Sequence, residues 1–323
     1  MHYVYLDNAA TTHVCPEAAE IIRKYTNKEY GNASSLHTLG QKAKESLEAS
    51  RASIAKTINA APEELIFTSG ETESNNLAIL GASRANAANG RHIITTKIEH
   101  PSVLNAFAAL EKEGFEITHL GVNSEGLIDL AELEKNLRKD TILVSILHAS
   151  NEIGTIEPVT QAGELIKSKS NALFHVDCAQ SYGKIPVNVE ELKADLVTIN
   201  SHKIHGPKGV GALYIRKGAK IAPLMFGGAQ EKKLRPGTEN VAGIAGFAKA
   251  AEVAHATMKK DAKNIARLRN MLVEGIEKTI PHTILNGHQG NSRLPDNVNI
   301  SFGNIEGESI IILLDSKGVG AST

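Results

Sequence analysis

At 323 residues, with 22% charged side chains and a formal net charge of -1, the chain is long enough for a large core and two domains. Its charge balance excludes a general affinity for nucleic acid or anionic membranes, so charged ligands must be held by local sites. Two cysteines, Cys15 and Cys178, exclude a disulfide framework or a four-cysteine zinc site within the chain and fit a reducing compartment. The opening residues lack a basic-then-apolar leader, and no apolar run approaches the roughly 18 residues of a membrane span. The expectation is therefore a cytoplasmic globular protein.

In chain order, Tyr3 to Leu6 reads as a strand and Asp7 to Thr12 as a loop of small and polar residues. Pro16 opens a helix to about Tyr25. After a loop at Gly31 to Ser35, an amphipathic helix is predicted from Thr38 to Ile58. Strand and helix patterns then alternate. Strands are predicted at Leu65–Thr68, His92–Thr95, Phe115–Thr118, Ile142–Leu147, Leu173–Val176, Leu196–Ile199 and Gly211–Ile215. Helices fall near Thr72–Ser83, after Pro101, at Leu130–Leu137 and at Gln161–Lys167. This alternation argues for an α/β domain on a largely parallel sheet. Past Glu239 the texture changes: an alanine-rich helical stretch runs to about Ile280, then a strand at Asn297–Phe302 and a short apolar element at Ser309–Leu314. A second, smaller domain begins here.

In open α/β sheets, ligands collect beyond the carboxyl ends of the strands. Four such ends carry chemistry. At Phe67 to Asn76 a strand ends in Ser-Gly and a helix begins near Thr72. Its N–H groups and hydroxyls suit a phosphate, or an ordinary helix cap. No Walker lysine or complete GxGxxG accompanies it. At Glu99-His100-Pro101 the histidine can stack on a planar ligand, move a proton, or simply cap the helix. At His175 to Gln180, Asp177 interrupts an apolar strand, which is costly unless it is paired. It suits a pyridinium N–H or a structural hydrogen bond. At Asn200 to Lys203, a lysine at the mouth of a buried strand is either a surface cation or a desolvated amine able to form a Schiff base. His202 and His205 have no cysteine or carboxylate close in sequence to complete a metal set. A phosphate cup, a stacking ring, a carboxylate for a ring nitrogen and a Schiff-base lysine are together what pyridoxal 5'-phosphate requires.

At these residues the sequence resembles the cysteine desulfurases of the class V aminotransferase family, enzymes of PLP fold type I. The resemblance runs through YLDNAATT from Tyr5, GNASSLH from Gly31, FTSGETESNN from Phe67, EHPSV from Glu99, HASNEIG from His148, HVDCAQ from His175, SHKIHGPKGVGALY from Ser201 and RPGTEN from Arg235. It implies a large, mainly parallel seven-stranded sheet domain over residues 16–240 and a smaller, incomplete α/β domain over 241–323, with residues 1–15 associated with the latter. It further implies that Lys203 carries the cofactor, His100 stacks on its ring and Asp177 holds its nitrogen. Asn151 and Gln180 would contact the ring oxygen or the substrate. Glu71 through its backbone, Thr72, Asn200 and His202 would bind the phosphate, and Thr238 would reach the phosphate of a neighbouring subunit in a homodimer. Asn200 stands where that family is expected to have serine; an amide also donates to phosphate.

The implied reaction removes sulfur from L-cysteine, leaving L-alanine and an enzyme persulfide that passes sulfur to an iron–sulfur scaffold or another sulfur-acceptor protein. The nucleophilic cysteine of such enzymes usually lies in a Gly-Ser-Ala-Cys loop, followed later by an arginine that clamps the substrate carboxylate. The sequence ends at Gly320-Ala321-Ser322-Thr323, so the expectation is a truncated form that does not build the persulfide. Related readings are a selenocysteine lyase or C–S lyase, and a non-catalytic sulfur-transfer scaffold.

Overall fold

The apolar runs gather into one sheet because each is buried on both faces. The computed structural model describes residues 3–323. After the short β1 (Val4–Tyr5) come β2 (Leu65–Thr68), β3 (His92–Thr96), β4 (Glu116–Leu120), β5 (Thr141–Leu147), β6 (Leu173–Asp177), β7 (Leu196–Asn200) and β8 (Gly211–Ile215). Among the described residues β2 to β8 form a seven-stranded sheet in the order β2-β8-β7-β6-β5-β3-β4. Strands β3 to β7 are parallel, and β8 is antiparallel to both its neighbours β2 and β7. Two reversals cancel, so β2 ends on the same edge as β7. Where β8 enters between them, a Cβ on Gly211 would lie 2.9 Å from the Gly70 backbone. Only glycine lets those two chains approach there.

Alternate strand residues feed two cores. One face buries Leu65, Phe67, Val144, Ile146, Phe174, Val176, Val197 and Ile199 against α2 (Thr38–Thr57), α7 (Val159–Lys169) and the start of α8 (Val241–Thr279). The other buries Ile66, Ile93, Leu143, Leu196 and Leu213 against Leu77 to Ala82 and α5 (Pro101–Lys112). The remaining helices are α1 (Pro16–Asn27), α3 (Glu71–Asn76), α4 (Ala82–Asn86), α6 (Leu130–Asn136) and α9 (Gly307–Ser316). Helix α8 spans 39 residues, about 58 Å at the α-helical rise. Its first third is buried against α1 and α2, whereas beyond Ala251 only Val273 is buried.

The helix predicted from Thr72 to Ser83 begins one residue earlier and reaches Asn86, interrupted by a π-helical segment at Leu77–Gly81. The Gly81 carbonyl accepts the Ala222 N–H at 3.0 Å, and a Cβ on Gly81 would meet the Ala222 oxygen at 2.7 Å. Near the chain's end, the apolar element expected at Ser309–Leu314 is α9. It is followed by β11 (Val319–Gly320), which pairs in parallel with β1. Strands β9 (Thr283–Leu285) and β10 (Ile300–Phe302) form a separate antiparallel pair. No helix among the described residues is long and apolar enough to cross a membrane.

Strand β2 lies at a sheet edge, and its outward backbone groups are taken by an ion pair. Arg51 of α2 donates to the Leu65 carbonyl at 2.9 Å, and Glu231 accepts the Phe67 N–H at 2.7 Å. The two side chains bond each other at 2.6 and 2.9 Å, and both are buried. Removing one partner strands a buried charge, a far larger cost than losing a surface pair. Glu231→Ala is expected to lower unfolding free energy by about 3–5 kcal/mol in chemical denaturation. A loss below about 1 kcal/mol would show that the pair does not secure β2.

Candidate active site

Five strand ends, those of β2, β3, β5, β6 and β7, converge on one cleft. Its lining includes Glu71, His100, Asn151, Asp177, Gln180 and Lys203, together with Leu147, Ala149 and Ala179. Six of the residues singled out from sequence therefore share one cavity, although up to 132 positions separate Glu71 from Lys203 in the chain.

Lys203 follows β7 in a tight turn, its N–H donating to Asn200 Oδ1 at 3.3 Å. It is 8% exposed. Burial pushes its ammonium below the ordinary lysine range, partly offset by the negative charges of Glu71 and Asp177. Asp177, the last residue of β6, is also buried. Burial pushes its carboxyl up, against the Ala179 N–H on Oδ1 (2.9 Å) and the Asn75 amide on Oδ2 (2.8 Å). His100 caps α5, with Nδ1 accepting the Ser102 N–H at 3.2 Å and lying 2.7 Å from Ser102 Oγ.

Glu71 opens α3, and its Oε1 lies 3.2 Å from His202 Nε2. Burial raises its carboxyl, but the His202 contact and the Lys203 charge outweigh this and hold it at about 2. His202 Nδ1 lies 3.0 Å from Thr11 Oγ1. Its backbone carbonyl accepts both the N–H and the hydroxyl of Thr12. The N-terminal segment thus crosses the cleft rim, where Gln180 Nε2 also donates to the Ala9 carbonyl at 3.0 Å. His205 turns away to the His13 carbonyl, so the two histidines do not converge.

Asn151 donates to Glu152 Oε1 at 2.7 Å. Its loop is held from the C-terminal region, where Asn297 and Asn299 both donate to the Glu152 carbonyl. The buried Asn200 bonds the Lys203 N–H and, at 3.5 Å, the Ala179 carbonyl. Thr72 is exposed on the first turn of α3. Thr238 is exposed in a loop beside a separate cavity lined by Phe67, Arg235 and Glu239, outside this chain's own cleft. Asn75 and Ser102 stood inside the motifs without being singled out. Their signals were the four-residue spacing of Asn75 from Glu71 and the placement of Ser102 two residues past the cap.

Beneath the cleft lie buried ionisable groups. Glu99 accepts from Thr96 and from the Leu147 N–H, while its Oε2 is buried without a partner. Burial drives its carboxyl well above the ordinary range. Burial lowers His148 to about 4 and His175 to about 3. Both cysteines are buried; the Cys178 thiol, 3.7 Å from His148 Nδ1, is pushed above its usual range by burial.

A sheet of this order, with a buried lysine and a buried carboxylate at its carboxyl edge, defines the architecture of a fold-type-I transferase. The comparisons agree. The class-V aminotransferase model matches residues 4–323, and the chain belongs to that family. It is 51% identical over 320 residues to the cysteine desulfurase IscS of Dictyoglomus turgidum, covering 99% of this chain and 81% of the relative. It is 48% identical to the cysteine desulfurase IscS of Methanosarcina thermophila, covering 99% and 78%. The solved structure of a NifS-like protein superposes with a TM-score of 0.96 at 41% identity, covering 99% of this chain and 88% of that one.

Glu157 offers a titration test of the buried layer. Its Oε2 accepts the Ile128 N–H while burial raises its carboxyl from 4.5 to about 7. A raised folded pKa gives stability that is full below about pH 4.5 and lost as pH rises through about 7. Between these limits wild type should lose on the order of 2–3 kcal/mol relative to Glu157→Gln, read by denaturant titrations across the window. Parallel stability curves for the two proteins would contradict it.

Proposed function

We propose that this protein is a pyridoxal 5'-phosphate-dependent cysteine desulfurase that acts on L-cysteine and leaves L-alanine. The observation that carries the proposal is the pairing, on one cleft, of a desolvated lysine and a buried carboxylate. The donor set fits the cofactor. Asp177 is acceptor-rich and would hold the ring nitrogen, His100 would lie against the ring, and Lys203 would carry the carbonyl group. The N–H of Glu71, the Thr72 hydroxyl, Asn200 and His202 would hold the phosphate at the start of α3, where helical N–H groups lack intrahelical acceptors. Asn151 and Gln180 would contact the ring oxygen or the substrate. When bound, the cofactor supplies an electron sink for bonds at the substrate Cα.

Burial disfavours the Lys203 ammonium, and its amine would take the Cα proton of L-cysteine, with His100 assisting. Glu71 Oε1 and His202 Nε2 lie 3.2 Å apart beside it. Sulfur must then pass to a thiolate. Cys178 is disfavoured because its thiol is fully buried and held protonated, and Cys15 is buried as well. We therefore expect this chain to bind and activate L-cysteine without accumulating a persulfide. The same reading supplies a homodimer, in which Thr238 serves the neighbouring copy. That role is supported by its exposure outside its own cleft. It also supplies a cytoplasmic setting and an iron–sulfur scaffold or other acceptor as the sulfur's destination.

The purified protein should be yellow with pyridoxal 5'-phosphate and bleach with hydroxylamine. Lys203→Ala should stay colourless, and Asp177→Ala should bind the cofactor about tenfold or more weakly, as loss of a charge-assisted bond implies. A wild-type protein that remains colourless after addition of the cofactor would remove the enzyme reading. With L-cysteine the absorption should shift, while intact-mass spectra show no added sulfur. Persulfide on Cys15 or Cys178 would overturn the assignment of both as bystanders.

A further inference from the structure

Asp177, Asn75, Ser102 and His100 form a continuous hydrogen-bond chain from β6 through α3 to the cap of α5. Asn75 Nδ2 lies 2.8 Å from Asp177 Oδ2 and 2.9 Å from Ser102 Oγ, and Ser102 Oγ lies 2.7 Å from His100 Nδ1. Asn75 and Ser102 are buried. The chain has a direction. An ionised carboxylate only accepts, so the Asn75 amide must turn its NH2 to Asp177. The second N–H of that group then points at Ser102 Oγ. This orientation leaves Asn75 Oδ1 buried without a partner, a cost borne by no other side-chain atom of these four residues. Because Ser102 Oγ accepts from Asn75, its own proton is free for His100 Nδ1. The Ser102 backbone N–H, a donor whatever the carboxylate does, also points at Nδ1 at 3.2 Å.

We propose that Asn75 and Ser102 are positioning residues that transmit the acceptor character of Asp177 to His100. They fix its neutral ring as the Nε2–H tautomer, so that it presents a hydrogen-bond donor to the cleft. Two donors aimed at Nδ1 reserve that nitrogen's lone pair, and the single ring proton is left on Nε2. His100 thereby enters the reaction as a donor, which leaves proton removal at Cα to Lys203. The consequence for catalysis rests on the function proposed above; the tautomer itself does not.

The test is a long-range proton–nitrogen spectrum of full-length protein labelled with 15N-histidine, with and without pyridoxal 5'-phosphate. His100 is assigned by the signal lost in His100→Gln. At a pH where the ring is neutral, wild type should show a pyridine-type Nδ1 and a pyrrole-type Nε2. Ser102→Ala should move both nitrogens toward intermediate shifts, as the tautomers mix, and Ser102→Thr should restore the wild-type pattern. Asn75→Leu should also mix the tautomers and weaken cofactor binding about tenfold through Asp177. A wild-type ring protonated on Nδ1, or a Ser102→Ala spectrum identical to wild type, overturns the proposal. If Ser102→Ala fails to fold, the wild-type tautomer and the Asn75→Leu spectrum decide it. Failure to bind the cofactor with the tautomer intact would instead count against the function alone.

Discussion

A carboxylate at the end of a buried strand is the constraint on which the site depends. Ionised Asp177 inside an apolar sheet is unfavourable by several kcal/mol unless donors surround it. Those donors come from its own following turn and from α3, a helix that starts at the end of β2, three strands away in the sheet. Satisfying one oxygen therefore obliges α3 to sit over the end of β6. That places Glu71 beside the turn of Lys203 and Asn75 against Ser102. The position of β2 thus bears on the geometry of the cleft, and the buried Arg51–Glu231 pair bonds it at the sheet edge.

The cleft is also an electrostatic boundary. Lys203 and the Glu71–His202 contact stand on its rim, crossed by the N-terminal segment at Ala9, Thr11 and Thr12. Below it burial pushes Glu99 up and His148 and His175 down, each toward its uncharged form. A layer that carries polar atoms but little net charge keeps the local dielectric low. Interactions with a bound anion or cation are then stronger than they would be in water. The same low dielectric is what lowers the affinity of Lys203 for its proton.

The strands were legible because their residues are apolar on both faces and bounded by turn signals; Leu65–Thr68 and Gly211–Ile215 coincide with β2 and β8. The local chemistry was legible too: a histidine before a helix-opening proline, an aspartate in an apolar strand and a lysine after one. Less visible was anything that depends on long-range pairing. Strand β11 is two residues long and too short for a periodic signature, and nothing local announces its pairing with β1. The π-helical turn at Leu77–Gly81 answers to a contact with Ala222, far along the chain. The role of Glu231 is set by a partner 180 residues away.

By itself, the sequence determined the α/β alternation, the identities of the groups at each strand end and their fit to a single cofactor, since these follow from local pattern and side-chain chemistry. Lys203 carried two readings at that level, surface cation or desolvated amine. The tertiary structure decided between them, because desolvation is a property of what surrounds a residue. The fold also decided that Asn200 Oδ1 accepts the N–H of the Lys203 turn, that Thr238 lies outside its own cleft, and that Asp177 and His100 are joined through Asn75 and Ser102. Hydrogen bonds among residues on three different elements have no spacing along the chain to announce them; only the packing of α3 and α5 over the sheet edge brings them into line.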